Sequence, residues 1–433
     1  MNRLKSLRYY TIIFIAIVCA SSVNAFELSS RARISIMEEY NDNLYLDNEN
    51  EEDDFITVIS PGFQSEIRWQ RTGLNAAYDL GYSMYDEHSE DDSFRHRGNL
   101  GWWWNMAQNT RFSLGDTYIK SEDISELPEE DTGRNGRDGF YSNTAFMNFN
   151  HQFGENKSVA LRYAYGILDN DDETVEDNQS HKASTALTYY FSPQLGTETN
   201  VAYTNGLYDE SQDFDEWVGS FRLLKNLSRH FQINGAYTHT SMTWEGEGVE
   251  NDYQIYHPTL GMRYSFADDG IFAVNAGYFV QDIDNEENED GVTVDGNIGK
   301  SWRFKQGMFS LTGTSGYDNS QLNTENLGFN VYYGAQSSLE YNFTRNVRSS
   351  VQASYRNIDY VNPEPGETER KDDFITAGCT LSWQIKRWLS SDLEYSYRNM
   401  DSNIDDNDYA VNRILLRFTL SAQSGRFPAT ESN

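Results

Sequence analysis

One period runs the length of this chain. Apolar and polar residues alternate in segments of about ten, and the connections between segments are short, then long, then short again. Leu74, Ala76, Tyr78, Leu80, Tyr82 and Met84 alternate with Asn75, Ala77, Asp79, Gly81 and Ser83. Val159, Leu161, Tyr163, Tyr165 and Ile167 repeat the pattern, as do Phe329, Val331, Tyr333, Ala335, Ser337, Leu339, Tyr341 and Phe343. A period of two makes each segment a strand with one apolar and one polar face.

The connections sort by length and by charge. Short ones include Gln70 to Gly73, Gly154 to Ser158, Ala267 to Gly270, Lys305 to Met308 and Thr344 to Val347. Long ones include Asn41 to Asp54, Asp86 to Asp92, Ser121 to Gly139, Leu168 to Gln179, Gln281 to Asp290 and Val361 to Lys371. The long set is acidic, as in "DNDDETVED", whereas Lys157, Lys225, Arg229, Arg303, Lys305, Arg345, Lys386 and Arg387 crowd near the short turns. Mean hydropathy is −0.71, yet 14% of residues are aromatic and only seven are proline. A membrane barrel reconciles these facts, because only every second strand residue meets lipid. A soluble sandwich would not place Tyr, Phe and Trp on one face of every strand, and a solenoid needs a sequence repeat that is absent. The expected fold is therefore all-β: a transmembrane antiparallel up-and-down barrel of about 16–20 strands. It would have short periplasmic turns and longer acidic extracellular loops.

The ends agree with export. Arg3, Lys5 and Arg8 precede an apolar run, Tyr9 to Ala20, and Val23-Asn24-Ala25 offers a small-residue cleavage site. Residues 1–25 read as a cleaved secretory signal, 26–420 as the barrel and 421–433 as a short tail. Val18 before Cys19 is too bulky for the usual lipobox, which disfavours a lipoprotein. With the signal removed, Cys379 is the one cysteine, so no internal disulfide can form, and net charge falls from −33 to −36. Such a surface excludes nucleic acid as a partner, since phosphate binding needs clustered positive charge. No run of 18 apolar residues follows the signal, so no transmembrane helix is expected. The last alternating segment carries Ile414, Leu416, Phe418 and Leu420 on one face. It resembles the strand by which barrels are handed to the assembly machinery of the outer membrane, although the chain continues beyond it.

The first hairpin carries a second resemblance. Glu39, Tyr40, Asn41, Asp42 and Asn43 precede an acidic loop, and the following strand contains Ser60, Pro61 and Gly62. This resembles the outer-membrane β-barrel porins found with exopolysaccharide and PEP-CTERM/exosortase gene clusters. The motif spans under a tenth of the chain, and Asn and Asp at a strand end are also ordinary turn chemistry. The resemblance implies an outer-membrane barrel of a Gram-negative bacterium, serving polysaccharide export or passive passage. It supplies no catalytic residue.

Three chemistries remain to be weighed. The seven histidines are scattered, and only His88, in "YDEHSEDD", sits among acids on an outer loop, where a solvated role is expected. Neither GxSxG nor HExxH occurs. Seven acids lie between Asp42 and Asp54. Glu286, Asn288 and Asp290, with Gly291, match the first half of a calcium loop, but Asn297 stands where its last glutamate belongs. Asp169, Asp171 and Glu173 alternate, but Thr174 replaces the glycine. No dedicated metal site or other cofactor is expected, only diffuse Ca²⁺ or Mg²⁺ between acidic loops and lipopolysaccharide. Finally, with the apolar register on lipid, Arg31, Arg33, Arg68, Arg95, Arg97, Arg162, Arg222, Arg263, Arg413 and Arg417 point into the lumen. An arginine on lipid would cost about 2–4 kcal/mol at the midplane. They form either a cationic ladder guiding anionic sugars or ion pairs with inward acids such as Glu66, Asp79, Glu340 and Glu394.

The expectation is a monomeric porin-like channel, not an enzyme, associated with exopolysaccharide biosynthesis and export. Its partners would be outer-membrane lipid, the assembly machinery and exported polysaccharide. The alternatives are an outer-membrane hydrolase with a rim site, or an adhesion barrel that binds partners through its acidic loops.

Overall fold

The computed structural model describes residues 26–123, 137–172, 175–209, 211–246, 252–267, 269–284, 288–319, 329–361, 370–404 and 407–424. The signal-like segment 1–25, most of the tail (425–433), Glu286, Glu173 and Thr174 lie outside them.

Twenty strands form one sheet. The first ten are β1 (Glu27–Asn41), β2 (Asp54–Arg68), β3 (Thr72–Tyr85), β4 (Ser93–Ala107), β5 (Thr110–Ser121), β6 (Phe140–Gly154), β7 (Lys157–Asn170), β8 (Asn178–Ser192), β9 (Leu195–Tyr208) and β10 (Asp213–Asn226). The second ten are β11 (Phe231–Glu245), β12 (Tyr253–Phe266), β13 (Gly270–Ile283), β14 (Glu289–Phe304), β15 (Gly307–Asn319), β16 (Phe329–Asn342), β17 (Val347–Val361), β18 (Lys371–Lys386), β19 (Leu389–Ser402) and β20 (Tyr409–Ser424). Each pairs antiparallel with its sequence neighbours, and β20 returns to β1 in register from Ser30↔Ser424 to Asn41↔Arg413. The barrel is closed, so no edge strand is left with unpaired backbone groups, as a hydrocarbon surround demands. The shortest strand, β5, has 12 residues. At ~3.3 Å per residue and a tilt of ~40° it still climbs roughly 30 Å, enough for a bilayer core.

The strand count falls at the top of the expected range. The last strand also runs four residues past the Leu420 boundary, because Ser421, Ala422, Gln423 and Ser424 all find partners on β1. Two prolines leave their mark on the ladder. The β2–β3 rungs skip Ser60 and Pro61, and the β12–β13 rungs skip His257 and Pro258, with register unchanged on either side. A proline has no N–H to give the ladder.

The alternation assigns the faces. Ile34, Ile36, Phe55, Phe63, Phe94, Leu100, Tyr163, Trp217, Leu260, Ile298, Tyr333, Ile414 and Phe418 are all exposed, and registers place such residues beside one another across strands. This is the lipid face, and Cys379 lies on it opposite Val351 and Tyr395. Near its outer border tyrosine hydroxyls donate to acids: Tyr82 to Asp92, Tyr203 to Asp215, Tyr278 to Asp290 and Tyr355 to Asp373. Such rings sit at the headgroup level with the hydroxyl toward water.

The lumen is less uniformly polar than simple alternation implies. At the outer ends of the strands its face carries apolar residues packed with the loops. Leu44, from the first outer connection, packs with Met37, Ile56, Val58 and Tyr85; Phe214, Met242, Tyr253 and Ile255 form a second cluster. Burying each such side chain contributes about 1.5–3 kcal/mol, and through Leu44 this ties the β1–β2 connection down at the mouth.

Candidate functional site: the lumenal wall at the barrel seam

The ten candidate arginines all lie on the lumenal register, but they do not form one ladder. Arg31, Arg33, Arg95, Arg97, Arg413 and Arg417 sit on β1, β4 and β20, on one wall around the seam where the barrel closes. Arg68 is near the inner end of β2, while Arg162, Arg222 and Arg263 stand on β7, β10 and β12.

Pairing with inward acids governs half of them. Arg33 Nε donates to Asp79 Oδ1 at 2.7 Å, Arg68 meets Glu66 at 2.6 Å, and Arg222 lies 3.5 Å from Glu198. Glu340 opposes Met308 and Ser350, and Glu394 opposes Thr380 and Leu415, so neither has an arginine directly across the sheet. Arg95 and Arg413 are drawn into a buried cluster supplied by the β5–β6 connection, whose two ends turn into the barrel. Arg95 Nε donates to Glu122 at 2.8 Å; Arg413 donates to Glu39 at 2.8 Å and to Asp123 at 2.9 Å. Arg137, at the far end of the same connection, lies 3.6 Å from Glu39 and 3.9 Å from Asp123. Three carboxylates thus balance three guanidiniums inside the outer mouth. Sequence reading missed Glu122, Asp123 and Arg137, because residues beyond a strand's end have no period to betray where they point.

Beneath the cluster a cavity of about 510 Å³ opens along the seam wall. Arg33, Arg97, Arg413 and Arg417 line it with Ser35, Ser60, Ser396, Thr419 and Glu394. Arg417 donates to Met37 Sδ at 3.2 Å. Further strand arginines share the lumenal register. Arg111, Arg356 and Arg398 lie over Trp103, Tyr332 and Tyr409, at 5.3, 4.4 and 5.6 Å from the ring centroids, and Arg348 sits opposite Asn342. The alternation around Tyr355 and Tyr395 contained the signal for Arg356 and Arg398.

The hairpin motif acquires a structural account. Asp42 clasps the last strand, accepting from Asn412 N at 2.6 Å and Asn412 Nδ2 at 2.8 Å. Asn43 Nδ2 reaches Ala410 O at 3.0 Å and Asp47 O at 2.7 Å, and Asn41 Oδ1 accepts from Asn43 N at 3.0 Å. Glu39 anchors Arg413, and Tyr40 donates to Asp53 at 3.2 Å. Glu39 to Asn43 therefore stitches the first strand to the last. Across the sheet, Ser35 Oγ donates to Ser60 O at 3.5 Å, and Pro61 lies opposite Ile34 on the lipid register. Gly62 makes room for the Arg33–Asp79 pair: a Cβ there would lie 1.9 Å from Asp79 Oδ1. In the last strand, Ile414, Leu416, Phe418 and Leu420 share the lipid register opposite Tyr395, Leu393, Ser391 and Leu389.

His88 is not simply solvated. Its ring is fixed between Asp54 at 2.9 Å and Glu52 at 2.7 Å because the buried Asp54 carboxylate organises the β3–β4 connection through the backbone N–H groups of Asp86, Glu87 and His88. Both ring nitrogens face carboxylates, so neither is free to activate a nucleophile. Of the calcium candidates, Asn288 is exposed and Asp290 takes the Tyr278 hydroxyl; no group of three potential ligands converges among the described residues.

Comparison with known proteins agrees with this geometry. Residues 261–422 match the family model described as "Putative beta-barrel porin 2", which covers less than half of the chain. The closed antiparallel barrel is a fold shared with solved outer-membrane proteins. The siderophore receptor PirA from Pseudomonas aeruginosa is similar in structure, with a TM-score of 0.51 and 11% identity over 93% of this chain and 81% of the receptor. The copper transporter OprC gives a TM-score of 0.53 and 8% identity over 93% of this chain and 82% of the transporter. At such identities the likeness is one of fold alone. No curated protein matches the sequence.

Proposed function

We propose that the barrel is a passive channel for anionic saccharides and serves exopolysaccharide export. The observation that carries the reading is the seam wall. Arg33, Arg97 and Arg417 share a cavity of about 510 Å³ with the hydroxyls of Ser35, Ser60, Ser396 and Thr419. Guanidiniums attract carboxylates, and hydroxyls exchange hydrogen bonds with a sugar one for one. Low-dielectric barrel walls focus the field of those cations into the lumen. The resemblance of Glu39–Asn43 and Ser60–Gly62 to barrels of exopolysaccharide gene clusters supports the export role.

The test is uptake by proteoliposomes of neutral and uronate-bearing oligosaccharides of equal length. Faster entry of the charged sugars, lost in the double variant Arg97→Glu, Arg417→Glu, is expected. Equal rates for both sugars in the wild-type protein would overturn the anionic preference, and no entry of either would overturn the channel itself.

A further inference from the structure

We infer that His88 fastens the neighbouring β1–β2 and β3–β4 outer connections together at the rim of the barrel, and lets them part as the surroundings turn alkaline. His88 Nδ1 meets Asp54 Oδ2 at 2.9 Å while Nε2 meets Glu52 Oε2 at 2.7 Å. A carboxylate only accepts hydrogen bonds, and a neutral imidazole has a single N–H. Both contacts can be made together only by the imidazolium. Deprotonation turns one contact from a hydrogen bond into a lone pair facing a carboxylate.

The two partners would respond differently. Asp54 is fully buried and also accepts backbone N–H groups from Phe55, Asp86, Glu87 and His88, at 2.7, 3.1, 3.2 and 3.0 Å, so it stays. Glu52 is half exposed and is the one to leave. Its backbone holds more than itself: Glu52 O accepts from Leu44 N at 2.7 Å, and Leu44 fills the apolar cluster over the lumen. Leu44 O in turn accepts from Arg137 Nε at 3.4 Å, which links the fastening to the β5–β6 connection.

Every titratable group facing His88 favours its charged form or is neutral near pH 7. Asp54 comes from β2, and Glu52 and Tyr45 from the β1–β2 connection, the tyrosine edge-on at 5.8 Å. Its own connection adds Asp86, Glu87, Glu90, Asp91 and Asp92, of which Asp91 accepts from Tyr45 Oη at 2.7 Å and Asp92 from Tyr85 N at 2.8 Å. The hydrogen bond to Asp54 raises the His88 pKa above its ordinary value; desolvation opposes it, and the bond to Glu52 adds to the rise. A raised histidine contributes stability that is complete below the unfolded value of about 6.5 and is lost as pH climbs through the folded one.

Hydrogen–deuterium exchange of the full chain in vesicles, corrected for intrinsic rates, tests this at pH 6 and pH 9. Amides of residues 42–53 and 86–92 should lose at least tenfold protection between the two, while the β11 strand does not change. His88→Arg should hold the protection at both values, and Glu52→Gln, a rim change that leaves the barrel intact, should remove most of the difference. Single-channel conductance should rise over the same interval in the wild-type protein and not in His88→Arg. Equal protection at pH 6 and pH 9, or a pH dependence untouched by Glu52→Gln, would overturn the fastening. The exchange readout stands independently of conduction, so a closed barrel would sink the channel reading without deciding this one.

Discussion

Removing one charge from the buried cluster should destabilise the barrel by a calculable amount. Glu39 is 0% exposed, accepts from Arg413 at 2.8 Å and lies 3.6 Å from Arg137. Glu39→Gln keeps the shape and leaves three guanidiniums facing two carboxylates. Breaking a fully buried pair costs about 3–5 kcal/mol. Here Arg413 keeps Asp123 at 2.9 Å, and 21% of its side chain still meets the lumen. Water screening and the retained partner bring the expected loss down to about 2 kcal/mol. Urea unfolding of the barrel in phospholipid vesicles, followed by tryptophan fluorescence, would read it as a lower midpoint with an unchanged slope. The double variant Glu39→Gln, Arg413→Met should recover about half of the loss, because it removes the uncompensated charge as well. A single variant within about 0.5 kcal/mol of wild type, or strictly additive effects, would refute the idea that these charges act as a unit.

Other outcomes follow from single contacts. Gly62→Ala places a Cβ 1.9 Å from Asp79 Oδ1, so the Arg33–Asp79 pair must move; a loss of about 1–3 kcal/mol is expected in the same unfolding assay, and less of it in an Asp79→Ala background. Asp42→Ala removes two bonds to Asn412 and should speed hydrogen exchange at residues 412–414 without touching the β11–β12 pairing. Cys379, on the lipid register, should react in vesicles with an apolar maleimide and resist a charged one; equal labelling by both would contradict the strand register.

The fold was legible because its cause is local and repeated. A strand in a barrel wall must show lipid one residue and lumen the next, so Leu74 to Met84 or Phe329 to Phe343 declares its orientation without any partner being known. The arginines followed by the same logic: Arg33 between Ala32 and Ile34, or Arg417 between Leu416 and Phe418, has one face left to occupy. Arg356 and Arg398 obey the same rule and were overlooked where Ala353, Asn357 and Asn399 blur the apolar register. What could not be read is whatever depends on where the chain points beyond a strand's end. Glu122, Asp123 and Arg137 lie in an acidic connection that looks like any other from its composition, and only the fold shows them meeting Arg95, Glu39 and Arg413. His88 is a similar case, since the acids that trap it, Glu52 and Asp54, come from the preceding hairpin. The first-hairpin motif stood out as a resemblance; its physical reason, closure of the barrel onto β20, needed the two ends of the chain to be seen side by side.

The claim at the centre is that this barrel conducts and that the seam wall selects what passes. Reversal potential across a planar bilayer, under a tenfold gradient of a monovalent salt, tests it most directly. Wild-type channels should favour the anion relative to the double variant Arg97→Glu, Arg417→Glu, whose reversal potential should move toward cation selectivity by tens of millivolts. Open channels whose reversal potential is the same in both proteins would contradict the assignment of selectivity to this wall.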